Sequence, residues 1–216
     1  MKNVIKFLEE LSLNNNREWF AANKSRYKAV EQEFNDFTEQ LIDQIAAFDS
    51  TVENLTLKDC TYRIYRDVRF SPNKMPYKTH IGAYICRGGK KSGYAGYYFH
   101  VEPNNSLLAV GLHCPEPTIV RSVRDEIFAN GLNFQAAIDY ALGFTLDFSS
   151  SLKKVPRDYP ADFQFGNYLK LKDYDLVRSF DPMQKEALLQ AAAEFETGKK
   201  FNDILNRAVE FAQQEM

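Results

Sequence analysis

Apolar side chains in the first fifty residues recur at intervals of three and four, the spacing of amphipathic helices. A short run predicts a first helix that ends near Asn14. Its apolar positions are Val4, Phe7, Leu8 and Leu11. A longer stripe from Tyr27 to Phe48 predicts a long helix whose opposite face is acidic. Between them, Asn15 with Glu18 three residues later resembles a capping box and predicts the start of a further helix.

After residue 60 the pattern changes to the alternation and turn residues that are typical of strands. The predicted strands are Tyr62–Arg66, His80–Arg87, Ala95–Glu102 and Leu107–His113. Pro72 and Pro76 exclude regular structure between the first two, so a loop is predicted there. Asn104–Asn105 is typical of a hairpin turn and predicts that the last two strands pair antiparallel.

The C-terminal part combines helical spacing with extended stretches. Helices are predicted at about 119–128, at 134–142, from Asp181–Pro182 to about Thr197, and from about Lys199 onward. Tyr168–Lys172 alternates like a strand, and Leu176–Phe180 is predicted to be extended. We therefore expect an α+β fold, with an antiparallel meander sheet packed on N-terminal and C-terminal helices, and a single domain over residues 1–216.

The strand alternation also predicts which residues share a face of the sheet. If Arg87 pairs with Ala95 and the hairpin turns at Asn104–Asn105, one face is almost entirely apolar and forms the core. Its members are Ile81, Ala83, Ile85, Tyr97, Phe99, Val101, Leu108, Val110 and Leu112. The other face gathers polar groups and small residues: His80, Gly82, Tyr84, Cys86, Tyr98, His100, Glu102, Ala109, Gly111 and His113. This second face is interpreted either as the floor of a ligand pocket or as a polar surface, solvated or covered by a helix.

Composition narrows the class of protein. Hydrophobic residues make up 44% of the chain and charged residues 26%, as in ordinary globular proteins. The three cysteines are widely spaced and form no C-x-x-C pair, which argues against a disulfide framework and against a zinc ribbon. The sequence lacks a signal-peptide pattern and any apolar run of membrane-spanning length. We expect a soluble, cytoplasmic protein without a membrane partner.

The net charge is −2, but acidic and basic residues are unevenly distributed along the chain. Residues 31–59 contain eight acidic residues and one lysine, a net charge of −7. Residues 60–100 contain eight lysines and arginines and one aspartate, a net charge of +7, together with seven of the twelve tyrosines. Two interpretations stay open: the acidic and basic segments neutralise each other in the fold, or the basic segment binds an anion.

The segment 62–78 is the most unusual in composition, and most candidate site residues lie in it. We predict that its cationic and aromatic side chains bind a ligand: Arg63, Arg66, Arg69, Lys74, Tyr77 and Lys78. Guanidinium groups bind phosphate or carboxylate through two parallel hydrogen bonds, and prolines hold such a loop with little ordering cost. Alternatively, Arg66 and Asp67 belong to a buried ion-pair network that docks the loop onto the acidic helix.

If the protein is an enzyme, a hydrolase or transferase is the expected class, with proton transfer by Asp67, His100 or Glu102. Cys86 and His100 share a face, so a Cys–His pair is also conceivable. The spacing of histidines and carboxylates is not tight enough to predict a metal site, and the sequence identifies no cofactor.

Several strings resemble a known family. They are Asn15–Phe20 with Asn23–Lys24, Arg66–Ser71 with Lys74 and Pro76–Lys78, Gly96–Pro103, the Gly111 region, Lys154–Arg157, and Tyr168–Lys170. This combination resembles the bacterial and fungal family called domain of unknown function 2461, over nearly the whole chain. Asp158 and Asn73 depart from the family pattern, where a glycine and an acidic residue are expected. The resemblance supports one domain and implies no activity, substrate or cofactor.

Three hypotheses follow from the sequence. The first is binding of a small anionic molecule, with a phosphate or carboxylate group, by segment 62–78. The second is a non-catalytic interaction domain that docks an acidic protein or nucleic acid; nucleic acid is less expected because the chain is not basic overall. The third is that these charges only hold the fold together.

Overall fold

The structure, a computed structural model, describes residues 1–214. Three helices form the N-terminal part: α1 (Lys2–Leu13), α2 (Arg17–Ala22) and α3 (Lys24–Ala46). They confirm the predicted short first helix and the long amphipathic helix. A 3-10 turn (Ser50–Val52) and the short helix α4 (Leu57–Cys60) then lead to the first residues of the basic segment.

The cap of α2 lies one residue later than predicted. The side chain of Asn16, rather than Asn15, accepts a hydrogen bond from the backbone N–H of Trp19 at 2.9 Å. Asn15 is used elsewhere: its amide side chain bonds to both backbone polar groups of Tyr77, at 3.0 and 3.1 Å. The predicted capping box at Asn15 is therefore wrong, because that side chain makes a long-range contact instead.

Five antiparallel strands form one sheet in the order β1-β2-β3-β5-β4. The strands are β1 (Ile81–Cys86), β2 (Gly96–Val101), β3 (Leu107–Leu112), β4 (Thr145–Leu146) and β5 (Tyr174–Ser179). The first three follow one another as the predicted meander, and β5 extends it beyond β3. With helices flanking the sheet, the predicted α+β class is confirmed.

The strand register agrees with the predicted faces. Ile81 pairs with Val101 across β1 and β2, which is the register predicted from Arg87 and Ala95. Across β2 and β3, Tyr97 pairs with Val110, two residues from the predicted partner Leu112. Since side chains alternate with a period of two, a two-residue shift leaves every side chain on its predicted face.

The apolar face of the sheet packs against α3 and the long C-terminal helix α7 (Ala187–Gln214). Phe34 of α3 stacks on Phe99 with ring centroids 5.8 Å apart. On α7, a Cβ added to Gly198 would lie 2.7 Å from Val110 Cγ2, so only glycine allows this close approach. The core therefore lies between the sheet and these two helices.

Six predicted elements differ from the observed ones. Tyr62–Arg66 contains the isolated bridge Tyr65–Tyr77 rather than a strand, and Tyr168–Lys172 overlaps the short helix α6 (Gly166–Leu169). The two helices predicted at 119–142 form α5 (Pro117–Tyr140), which is kinked at Asn130. The last predicted helices form the single helix α7, which begins only at Ala187.

The late start of α7 and its continuity have local causes. Asp181 Oδ1 accepts a hydrogen bond from the Met183 backbone N–H and closes a turn instead of capping a helix. Glu186 has a φ of 64°, in the left-handed region, so no helix continues through it. The predicted break between Thr197 and Lys199 is wrong, because the intervening Gly198 packs on Val110 within one continuous helix.

Candidate functional site

The segment 61–78 folds back on itself beside β1. Thr61 bridges to Ala83, and the Tyr62 backbone N–H donates to Gly82 O at 3.2 Å. The segment then reverses, and Tyr65 bridges to Tyr77. This places residues 62–66 and 76–80 next to the polar face of the sheet.

Apolar side chains anchor this segment to the N-terminal helices. Ile64 is buried, and the ring of Tyr77 stacks on Phe20 with centroids 3.9 Å apart. The Asn15 amide adds the two hydrogen bonds to the Tyr77 backbone. The Tyr77 ring, predicted to bind ligand, thus lies in the core.

Two of the predicted cations are engaged within the loop 67–75, which we call the basic loop. Arg69 binds the Asp67 carboxylate through Nε and Nη2, the shortest contact being 2.7 Å. Lys74 Nζ donates to Val68 O at 3.0 Å. The hydrogen bond from Arg69 lowers the pKa of Asp67, so this exposed carboxylate is a weak candidate for a general base.

The remaining cations have no acidic partner at ion-pair distance among residues 1–214. These are Arg63, Arg66 and Lys78. The guanidinium of Arg66 makes only long hydrogen bonds within residues 1–214, at 3.4 Å, to Met75 O and Ser71 Oγ. Within the described chain, no ion pair joins segment 62–78 to the acidic residues 31–59, so the alternative of a loop docked by ion pairs has no support.

Arg63 and Lys78 line one small cleft, which we call the cationic cleft. Its walls are Tyr62, Arg63, Lys78, His80, Ile81, Gly82 and Tyr98. The Lys78 ammonium lies 5.4 Å from the centroid of the Tyr62 ring, within cation–π range. Burial, followed by the nearby Arg63, lowers the pKa of Lys78.

Beside the cleft lies the His–Glu cluster, which consists of His80, His100 and Glu102. The imidazole rings of His80 and His100 are 4.6 Å apart between centroids. His100 Nε2 lies 3.4 Å from Glu102 Oε2, and His100 Nδ1 lies 2.9 Å from the hydroxyl of Tyr98. His80 directly precedes Ile81, and Glu102 directly follows Val101. Because Ile81 pairs with Val101, the β1–β2 register brings His80 and Glu102 together.

The surroundings of the cluster shift the pKa values of all three side chains. Burial and the adjacent His100 lower the pKa of His80 to about 4, so His80 is neutral near pH 7. Burial also lowers the pKa of His100, although Glu102 opposes the shift. Burial raises the pKa of Glu102, but hydrogen bonds from Asn105, His100 and Thr79 outweigh it and lower that pKa overall.

Gly82 makes room for the aromatic wall of the site. A Cβ at this position would lie 2.6 Å from the hydroxyl oxygen of Tyr98. The ring of Tyr98 therefore lies directly over Gly82, which holds its hydroxyl beside His100.

The rest of the polar face does not join this site. Tyr84 donates its hydroxyl to Gly111 O at 2.7 Å, so the space above Gly111 holds a tyrosine. His113, at the other end of the face, pairs with Asp175 at 2.7 Å. Cys86 lies four residues along β1 from the Gly82–His100 pair, and burial raises its pKa to about 11, which argues against a Cys–His pair.

The sequence placed His100 and Glu102 among the candidates and missed Tyr62 and Thr79. Thr79 donates to Glu102 Oε1 at 3.1 Å, and Tyr62 forms a wall of the cleft. Tyr98 was placed on the correct face but not assigned a role. The strand alternation could have identified Tyr98 as a neighbour of His100, whereas Tyr62 enters through an irregular segment that alternation does not describe.

Fold and site together define an α+β protein with an antiparallel sheet, helices on its apolar face, and a cationic cleft beside a His–Glu cluster. The chain belongs to the family described as "Conserved hypothetical protein (DUF2461)", whose model matches residues 3–204. No curated protein and no solved structure matches the chain. Among residues 1–214, no helix combines the length and apolar character needed to cross a membrane.

Proposed function

We propose that this protein binds a small ligand with a phosphate or carboxylate group at the cationic cleft. The supporting observation is that Arg63 and Lys78 line the same cleft and that neither has an acidic partner among residues 1–214. The charge of the exposed Arg63 disfavours the half-buried Lys78 ammonium, and an anion between them removes that repulsion. The Arg63 guanidinium can offer two parallel donors to either group, and the Lys78 ammonium supplies a point charge.

The walls of the cleft restrict how such a ligand is bound. Tyr62 and Tyr98 line the cleft together with the cations, and Gly82 keeps the floor low. The cleft has a volume of only about 10 Å³, room for roughly one water, so the anionic group of the ligand binds at its mouth and the remainder stays at the surface. Six residues of segment 62–78 were predicted to bind ligand. Two of them, Arg63 and Lys78, line the cleft.

A thermal-shift titration with inorganic phosphate, nucleotides and dicarboxylates tests the proposal. A ligand at 100 times its Kd stabilises the folded state by about 2.7 kcal/mol, which corresponds to a Tm increase on the order of 5–10 °C for a chain of this size. We expect one of these ligand classes to raise the Tm, and Arg63→Ala or Lys78→Ala to abolish the increase.

Lys74→Ala and Arg69→Ala are matched controls. Each removes one positive charge from the same segment, but Lys74 bonds to Val68 O and Arg69 to Asp67. Both variants should retain the full ligand-induced shift. The proposal fails if no ligand class stabilises the protein, or if Lys74→Ala reduces the shift as much as Lys78→Ala.

A docking role for the basic loop is the second candidate. Phe70, in this loop, is 94% exposed, and the guanidinium of Arg69 lies 5.9 Å from the centroid of its ring. An exposed aromatic ring among cations suits an acidic protein or single-stranded nucleic acid. Under this proposal, Phe70→Ala weakens salt-sensitive binding of an oligonucleotide or an acidic partner, while Lys78→Ala has little effect. Equal binding by wild type and Phe70→Ala excludes it.

A further inference from the structure

Three side chains of the His–Glu cluster bring ligand-type atoms close together. One nitrogen each of His80 and His100 and one carboxylate oxygen of Glu102 lie within 4.8 Å of one another. His100 lies in β2, Glu102 directly follows β2, and His80 directly precedes the neighbouring antiparallel strand β1. A rigid pair of strands is a suitable frame for a ligand set, because it holds the donors without ordering a loop.

The separation between His100 and Glu102 is that of a long hydrogen bond, and it also fits two ligands of one metal ion. His100 Nε2 and Glu102 Oε2 are 3.4 Å apart, beyond the usual range of an N–H···O bond. Two atoms bound to one Zn²⁺ at about 2.0–2.1 Å and at tetrahedral angles are separated by about 3.3 Å. An ion can therefore sit between these two atoms with little movement, and one nitrogen of His80 lies within 4.8 Å of both.

The atoms behind the cluster form the outer shell that metal sites use. Tyr98 Oη lies 2.9 Å from His100 Nδ1, which directs Nε2 toward Glu102. Thr79 Oγ1 donates to Glu102 Oε1 at 3.1 Å, and Asn105 Nδ2 donates to Glu102 Oε2 at 3.0 Å. Outer-shell hydrogen bonds of this kind orient the ligands of a metal and strengthen its binding.

We propose that His80, His100 and Glu102 bind one divalent transition-metal ion of the Zn²⁺ class. Two imidazoles and one carboxylate suit such an ion, and three protein ligands leave a coordination position open. Because His80 also lines the cationic cleft, the bound ion would border that cleft. Glu102 neutralises only one of the two positive charges of the ion, and Lys78 adds a further positive charge nearby. An anion is therefore the preferred fourth ligand. That last step rests on the proposed function, whereas the metal site itself does not.

Zinc titration of the chelator-treated protein by calorimetry, with metal analysis after dialysis, tests the site. We expect one equivalent of Zn²⁺ per chain in wild type, and at least a tenfold loss of affinity in Glu102→Gln and His100→Gln. Co²⁺ should replace Zn²⁺ and give visible absorption bands of a four- or five-coordinate ion. Tyr98→Phe leaves all three ligands in place and should weaken zinc binding by about 10–100-fold through loss of the outer-shell contact.

The chain offers a control for adventitious binding. His113, Cys114 and Asp173 form a second, more exposed group of potential ligands. His113→Gln and Cys114→Ser should leave the tight equivalent of zinc unchanged; loss of that equivalent in these variants would place the ion on the exposed group and overturn the proposal. A wild-type affinity weaker than roughly millimolar would also overturn it.

Failure of the metal site can be separated from failure of the anion site. Arg63→Ala should retain zinc binding and lose the phosphate- or carboxylate-induced shift. If wild type binds the anion in the presence of chelator but never binds zinc, the metal inference is wrong and the proposed function stands.

Discussion

At the scale of single residues, the site depends on which cations are left without a partner. Arg63, Arg69, Lys74 and Lys78 are similar in sequence context, yet Arg69 binds Asp67 and Lys74 binds a backbone carbonyl. Arg63 and Lys78 share a cleft instead. Chemical type alone does not distinguish these roles, because each depends on which acceptor lies within a few ångströms.

Gly82 gives a prediction at this scale. A Cβ at Gly82 would lie 2.6 Å from Tyr98 Oη, so Gly82→Ala should displace the Tyr98 ring from His100. We expect a loss of about 1–3 kcal/mol in the free energy of unfolding, from overpacking and a broken hydrogen bond. Urea denaturation measures the change.

The same substitution in a Tyr98→Ala background is the control. With the ring removed, Gly82→Ala should cost less than about 0.5 kcal/mol beyond the background. An equal loss in both backgrounds would show that Tyr98 is not what requires a glycine here.

At the scale of elements, the position of the basic segment is set by a contact between distant parts of the chain. Asn15, between α1 and α2, pairs its amide with both backbone polar groups of Tyr77, and the Tyr77 ring stacks on Phe20 of α2. The irregular hairpin 61–78 therefore owes its position to the N-terminal helices as well as to the edge of β1. The Asn15 side-chain amide satisfies the Tyr77 backbone N–H and C=O, which would otherwise need a neighbouring strand as partner.

Asn15→Ala should loosen this hairpin. Removing the amide leaves the part-buried N–H and C=O of Tyr77 unsatisfied, which costs about 1–3 kcal/mol. Hydrogen exchange should accelerate at Tyr77 and Lys78. Asn14→Ala is the matched control, since Asn14 bonds only within its own helix end, to Glu10 O. Similar exchange at Tyr77 in both variants would contradict the role assigned to Asn15.

At the scale of the whole molecule, the acidic segment 31–59 and the basic segment 60–100 form no ion pairs with each other within residues 1–214. The acidic residues of α3 lie on the helix face opposite the sheet, and the basic segment lies along β1. Within the described chain, the observed ion pairs join other partners, such as His113 with Asp175 next to the β3–β5 ladder. Net charge along the sequence therefore describes surface potential rather than pairing.

The His113–Asp175 pair predicts a pH dependence of global stability. The hydrogen bond to Asp175 raises the pKa of His113 above its usual 6.5. Burial raises the pKa of Asp175, although His113 opposes that shift. A raised histidine pKa means that its stabilisation is complete below pH 6.5 and disappears as the pH rises through the folded-state pKa.

Unfolding free energies of wild type and His113→Gln at pH 6 and pH 9 measure this contribution. Wild type should exceed the variant at pH 6 by less than about 1 kcal/mol, because solvent screens the exposed imidazole, and the difference should vanish at pH 9. A difference that does not change with pH would show that the pair contributes through packing rather than charge.

The sequence by itself determined the fold class, the β1–β2 register and the composition of each face of the sheet. These follow from short-range periodicity: side chains alternate along a strand, and helical spacing identifies apolar stripes. Alternation alone places His100 and Glu102 together with His80 on the polar face. Local patterns failed at Tyr168–Lys172 and Asp181, where packing and turn hydrogen bonds outweigh local preference.

Only the tertiary structure decided how the basic segment is used. Contacts between Asn15 and Tyr77, or between Tyr98 and Gly82, join residues on different elements, and local periodicity contains no information about them. The same holds for the His–Glu cluster, since a nitrogen–oxygen separation of 3.4 Å is set by rotamers and neighbours across the β1 and β2 pair. The pattern of residues fixes which groups share a surface, and three-dimensional packing decides which of them converge.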